Sequence, residues 1–140
     1  MCGSGSKAFD IFDQGVFDET GTAWLNENGY DTKFTDDVNY SFGQWSNPLT
    51  GAVVPYTQHN TSIFVVAVPG DFTTAIQTMR GENIYRPQAG APVLLAVGRL
   101  VFNFDQSELI SAHGPNAFVA AFFEGDPHAL DRICGALGAS

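Results

Sequence analysis

Six short turn signals, each between two strand-like runs, constrain this chain more than any other feature in it. Asn28-Gly29 separates residues 22–27 from 30–34, and Asn-Gly is the strongest two-residue hairpin signal because both positions must tolerate φ > 0. Asp36-Asp37 divides that second run from residues 38–45. Asn47-Pro48-Leu49-Thr50-Gly51 follows, with Pro setting φ and Gly free to enter the left-handed region. Pro69-Gly70-Asp71 lies between residues 53–68 and 72–85, and Arg86-Pro87-Gln88-Ala89-Gly90-Ala91-Pro92 leads into residues 93–104. Asp105-Gln106-Ser107 turns that run back into residues 108–113. Parallel neighbours need a crossover of about a dozen residues or more, and no interval here leaves room for one. The expected fold is mainly β, an antiparallel up-and-down meander.

Hydrophobic patterning bears on whether the sheet closes. Leu94, Ala96, Gly98, Leu100, Phe102 and Phe104 fall on one face of their run, and Arg99 and Asn103 on the other, as a half-buried antiparallel strand requires. Residues 63–68 (Ile-Phe-Val-Val-Ala-Val) and 93–97 (Val-Leu-Leu-Ala-Val) do not alternate, so both of their faces are expected to meet apolar surface. A barrel, a two-sheet sandwich or a subunit interface would each supply that second cover. Closure also removes the sheet edges that invite aggregation. A barrel is the favoured expectation, with Trp45, Tyr56, Phe64, Met79, Phe102 and Phe104 as residues that would hold a ligand in its interior.

After His113 the period changes. Asn116 is placed to cap a helix over about residues 116–124, with Pro115 breaking the strand before it. Asp126 followed by Pro127 is a helix start, because Pro at the first helical position loses no intrahelical hydrogen bond. Ala129, Leu130, Ile133, Cys134 and Leu137 then share one helical side over about residues 127–137, and Gly138 suits the exit. Two short C-terminal helices are expected, flanking or plugging the core.

A chain of 140 residues is one ordinary domain, able to bury about two-thirds of its unfolded surface. The division expected is a flexible Gly/Ser-rich segment at 1–7 and a single domain at 8–140. Eighteen aromatic residues, twelve of them Phe, suffice for a core or the lining of an apolar cavity. No apolar run approaches the roughly 20 residues a membrane-spanning helix needs. Fifteen Asp and Glu stand against six Lys and Arg, a formal charge of −9. A nucleic-acid backbone would be repelled, and no basic patch with interleaved aromatics offsets that.

Met1-Cys2-Gly3-Ser4-Gly5-Ser6 lacks the charged-then-apolar plan of a signal peptide and reads as a start methionine with a Gly/Ser spacer. Cys2 and Cys134 lie near opposite ends of the chain. They can pair if the termini meet, as domain ends often do; otherwise Cys134 is a buried apolar thiol. Asn39-Tyr40-Ser41 and Asn60-Thr61-Ser62 match the glycosylation sequon, a pattern short enough to arise by chance.

No phosphate loop, no metal-spaced cysteine pair and no His-Glu-x-x-His motif is present. The opening run Phe9-Asp10, Phe12-Asp13, Phe17-Asp18-Glu19 places four carboxylates within ten residues, oxygen ligands of the kind hard cations take. The spacing fails the EF-hand loop, and Phe alternating with Asp reads first as an edge strand. No metal and no cofactor is expected. Of the histidines, His128 sits in the first turn of the last helix. His59 and His113 become an acid–base pair only if both face an interior together with Asp36, Asp37 or Glu82. They read first as structural hydrogen-bonding groups. Arg80 and Glu82 share a strand face with Thr78 and Ile84, where cross-strand pairing stabilises as often as it marks a site.

Three segments carry a resemblance. Trp45-Ser46-Asn47-Pro48-Leu49-Thr50-Gly51, Gly98-Arg99-Leu100-Val101-Phe102-Asn103-Phe104-Asp105 and Ile110-Ser111-Ala112-His113-Gly114-Pro115 resemble stretches of small exported bacterial β-domain proteins of uncharacterised function. The likeness runs over about residues 37–137. Its motifs are turns and strands, so it carries no catalytic residue across; it implies an extracellular or exported setting.

Three functions fit these residues. The first is a non-catalytic module holding a small apolar molecule in a barrel interior, since barrels of about eight strands can be just wide enough for one ligand. The second is a structural or self-assembling β-protein, a homo-oligomer with apolar strands at its interfaces. The third is an enzyme of the barrel-cyclase or isomerase kind with His59, His113 or Glu82 as its polar group, a reading by fold analogy.

Overall fold

The computed structural model describes residues 2–3, 8–86, 94–116, 119, 123–124, 126 and 128–138. Six strands follow one another along the chain: β1 Phe12–Leu25, β2 Asp31–Ser46, β3 Val53–Val68, β4 Asp71–Tyr85, β5 Leu94–Asn103 and β6 Leu109–His113. They hydrogen-bond in sequence order in one sheet, and every neighbouring pair is antiparallel. The antiparallel meander is therefore as expected, although one of the six turn signals, Asp36-Asp37, fails and residues 87–92 of the link before β5 lie outside the described residues.

The turns show the local chemistry at work. Between β1 and β2 the Asn26 carboxamide accepts from the backbone N–H of Asn28 and Tyr30, both at 3.0 Å, and Gly29 takes φ 81°. Between β3 and β4 only Pro69 and Gly70 intervene. Between β2 and β3, Asn47 is buried. Its carbonyl oxygen accepts from Leu49 N–H at 2.8 Å, and its amide donates to the Leu137 carbonyl at 2.8 Å. One side chain thus closes a turn and holds the C-terminal end of the chain against it.

Asp36 and Asp37 are not a turn but lie in the middle of β2. Each finds a strand neighbour on both sides: Asp36 is opposite Gly21 and Ser62, and Asp37 opposite Thr20 and Thr61. Thr61 donates its hydroxyl to the Asp37 carboxylate. Cross-strand partners small enough to fit, and polar enough to bond, outweigh the turn preference of an Asp-Asp pair.

The barrel is corrected as well. Among the described residues β1 and β6 remain the two edges of an open sheet. Closure would require strand tilt and stagger to match around the whole ring, whereas β6 has 5 residues against 14 in β1. Local bends come instead from register shifts, among them Val16/Phe17 and Val66/Val68. The second cover expected over residues 63–68 is also not found among the described residues, where Val65 is 54% exposed.

One face of the sheet is covered at one end. There Val54, Tyr56 and Tyr85 pack with Cys2, Phe9, Ile133 and Leu137. The last two belong to or follow the helix α1, Asp131–Ala136. Cys2 and Cys134 are joined as a disulfide, and Cys2 exchanges two 2.9 Å backbone hydrogen bonds with Phe9. The last helix is shorter than residues 127–137. Asp126 accepts from His128 N–H at 2.9 Å in a turn, and helical hydrogen bonding starts only near Leu130. The helix expected over 116–124 falls mostly outside the described residues. Residues 4–7 of the Gly/Ser segment lie outside them too.

Candidate functional site

The covered face carries a cleft of about 190 Å³ beside the core. Strand register explains where it comes from. Asn60 of β3 is opposite Gly81 of β4, and Gly81 is opposite Gly98 of β5. Two adjacent positions of the side-chain layer are thus empty. Met79 and Leu100 are opposite each other on one flank of the gap, Asn83 and Ala96 on the other. Trp45, Tyr85, Asn116, Val119 and Phe123 complete the lining.

Both glycines are required by the backbone. Gly81 has φ 153° and Gly98 φ 134°, where L side chains are strained. A Cβ at Gly81 would come within 2.1 Å of the His59 carbonyl oxygen, and one at Gly98 within 2.0 Å of the His113 carbonyl oxygen. Glycine inside a strand often marks a kink or the close approach of another backbone; here the same two residues open the gap.

The lining is neutral. No Asp, Glu, Lys, Arg or His reaches it among the described residues. The one titratable group is the Tyr85 phenol, which burial, and next the charge of Asp13, hold far above its ordinary value while a hydrogen bond from Asn83 opposes them. Three carboxamides, on Asn60, Asn83 and Asn116, supply donors and acceptors. The Asn83 carbonyl oxygen is buried without a hydrogen-bond partner.

Of the residues expected to hold a ligand, Trp45 and Met79 line this cleft. Tyr56 lies in the core beneath α1, ring centres 5.1 Å from Tyr85. Its hydroxyl donates to an Asp13 oxygen at 2.9 Å, and burial followed by that carboxylate pushes the phenol far up. Phe64 packs against Phe34 at 6.0 Å, Phe102 against Phe123 at 5.4 Å, and Phe104 against Phe72 at 6.1 Å. His59 and Glu82 are opposite each other across β3 and β4, and His113 is opposite Arg99. Strand alternation puts His59, Glu82 and His113 on the bare face, away from the cleft. Asp36, by contrast, shares the cleft's face, between Gly21 and Ser62. Its pKa is raised, chiefly by burial and then by the charge of and hydrogen bond with Glu19.

Gly81, Asn60 and Asn83 escape the hydrophobic pattern altogether. The signal available for them is glycine in the interior of a strand run, present at both Gly81 and Gly98. Among the described residues, no group of three or more His, Cys, Asp or Glu could hold a metal ion. Among the described residues no helix is long and apolar enough to cross a membrane.

Fold and cleft together define an open antiparallel β-sheet domain with a neutral, partly apolar recess. Compared with known proteins, the chain matches no family model, and neither a curated protein nor a solved structure matches it significantly.

Proposed function

We propose that this domain is a non-catalytic binding module that holds one small, uncharged, largely apolar molecule in the recess over Gly81 and Gly98. The observation that carries this reading is the paired glycine gap walled by Trp45, Met79, Leu100, Val119 and Phe123, with carboxamides as its polar groups. At about 190 Å³ it is smaller than the roughly 300–1,000 Å³ of drug-sized sites, so the occupant is small. An N–H or O–H on that occupant would satisfy the Asn83 oxygen, whose unpartnered burial costs about 1–3 kcal/mol. The disulfide and the resemblance to exported β-domain proteins both favour an oxidising, extracytoplasmic setting.

Trp45 provides the readout. In a Trp24→Phe background, a neutral aromatic probe should change Trp45 fluorescence saturably. Ala96→Phe or Leu100→Phe, each filling the recess, should abolish the change while leaving the thermal midpoint near its starting value. Equal saturation in the filled variants would refute the reading.

Assembly through the bare face is a second reading. Trp24, Lys33, Val65 and Ile76 form one row across four strands, and Trp24, Val65 and Ile76 are 42%, 54% and 41% exposed. Sedimentation at rising concentration tests it, with Val65→Lys expected to return any oligomer to monomer.

A further inference from the structure

We infer that the free edge of β1 is a docking edge for an extended basic segment of another protein, which adds to the sheet as a seventh, outer strand.

β1 is the first strand of the sheet order and pairs only with β2 among the described residues. All 14 of its residues are exposed. A strand of that length has an outer row of N–H and C=O groups that a second strand can bond. The opposite edge is much shorter, since β6 spans 5 residues. β1 contains no proline, so no ring interrupts its donors.

Charge selects the partner. Asp10, Asp13, Asp18, Glu19, Glu27 and Asp31 fall within residues 8–32, with no Lys or Arg among them. The next strand adds Asp36 and Asp37 beside Gly21 and Thr20. The mid-strand region therefore has carboxylates on both faces, and Lys33 stands at one end, 4.4 Å from the Trp24 ring. The pKa of Asp36 is raised first by burial and then by Glu19 and Asp37, so those two carboxylates add to the negative charge there.

A second copy of this chain fits poorly. Two β1 strands can pair antiparallel with Phe12 of one opposite Trp24 of the other, which joins their exposed apolar ends. That register centres on Asp18 and sets it against its own copy, and like charges directly opposite are destabilising. A foreign strand with Lys or Arg at its centre meets opposite charge there. Its apolar ends would cover Phe12 and Val16 at one end and Trp24 at the other, now 55%, 62% and 42% exposed.

The test uses the whole protein and a peptide of about 12 residues, matched to the length of β1, with lysines at its centre and valine–threonine ends. Binding should slow hydrogen exchange at β1 amides and change Trp24 fluorescence. A peptide with glutamate in place of lysine should not bind. Asp18→Lys with Glu19→Lys should weaken binding about tenfold or more, and added salt should weaken it in the unaltered protein. No binding, equal affinity for the charge-reversed variant, salt-independent affinity, or protection elsewhere in the sheet would each overturn the inference. So would a dimer of the protein alone whose β1 amides are protected.

Discussion

Asp36 is the residue at which the sheet is least at ease with its own charge. It stands half-buried between Gly21 and Ser62, within reach of Glu19 and next to Asp37. Its folded-state pKa lies above the ordinary 3.8, with burial the largest cause and Glu19 the next. The folded protein then holds a proton there that the unfolded chain releases, so the favourable contribution is complete below about 3.8 and disappears as pH rises through the raised value. Asp36→Asn should therefore raise the thermal midpoint at pH 7 and leave it nearly unchanged at pH 3. An equal shift at both would place the effect elsewhere. Gly81 makes an opposite case. Gly81→Ala puts a Cβ 2.1 Å from a backbone oxygen at φ 153°, and should cost more than about 2 kcal/mol. Gly51→Ala meets nothing within 4 Å at φ 74°, and should cost only about 1 kcal/mol. Denaturant midpoints of the two variants give the comparison. That glycine is special at position 81 is hinted by its place inside a strand run. That it lies opposite Gly98 is not, because pairing between distant strands is a matter of register.

Helix α1 has six residues, far fewer than an isolated helix needs to persist in water. It exists because Ile133 and Leu137 are fully buried against Val54, Tyr56 and Tyr85. Ile133→Ala should cost about 2–5 kcal/mol, read from the denaturant midpoint, and speed exchange at the α1 amides more than in β3. The apolar spacing Ala129, Leu130, Ile133, Cys134, Leu137 marked the helix correctly and overran its start. The capping preference of Asp126 was used by a turn instead. The strands behaved likewise. Asn-Gly, Pro-Gly and the Asn47–Gly51 stretch each closed a hairpin through local hydrogen bonds, and local signals could announce them. Asp36-Asp37 did not, since in mid-sheet its cross-strand neighbours outweighed its own preference. Continuous apolar runs at 63–68 suggested cover on both faces, but Val65 is bare. Composition cannot distinguish a buried face from one left for a partner.

At the scale of the whole molecule, a disulfide across a sequence separation of 132 residues joins the N-terminal bridge to α1. Closing so long a loop restricts the unfolded chain, and reduction should lower stability by about 2–5 kcal/mol, with the denaturant midpoint falling and α1 loosening first in hydrogen exchange. An unchanged midpoint would show that the core holds both termini unaided. The same covered end supports the recess, whose wall combines residues of β2, β3, β4 and β5 with Asn116, Val119 and Phe123. Trp45 and Met79 could be named in advance as apolar residues on inward faces; the carboxamides could not, because nothing local separates a lining Asn from a solvated one. By itself the order of residues determined the meander, its direction reversals and most of its hairpins, since these are set within a few residues by φ preferences and hydrogen bonds. Only the assembled sheet decided that it stays open, which glycines meet, and which face is covered. Those outcomes depend on register, strand length and contacts between residues far apart in the chain, and these form only when the strands are brought together.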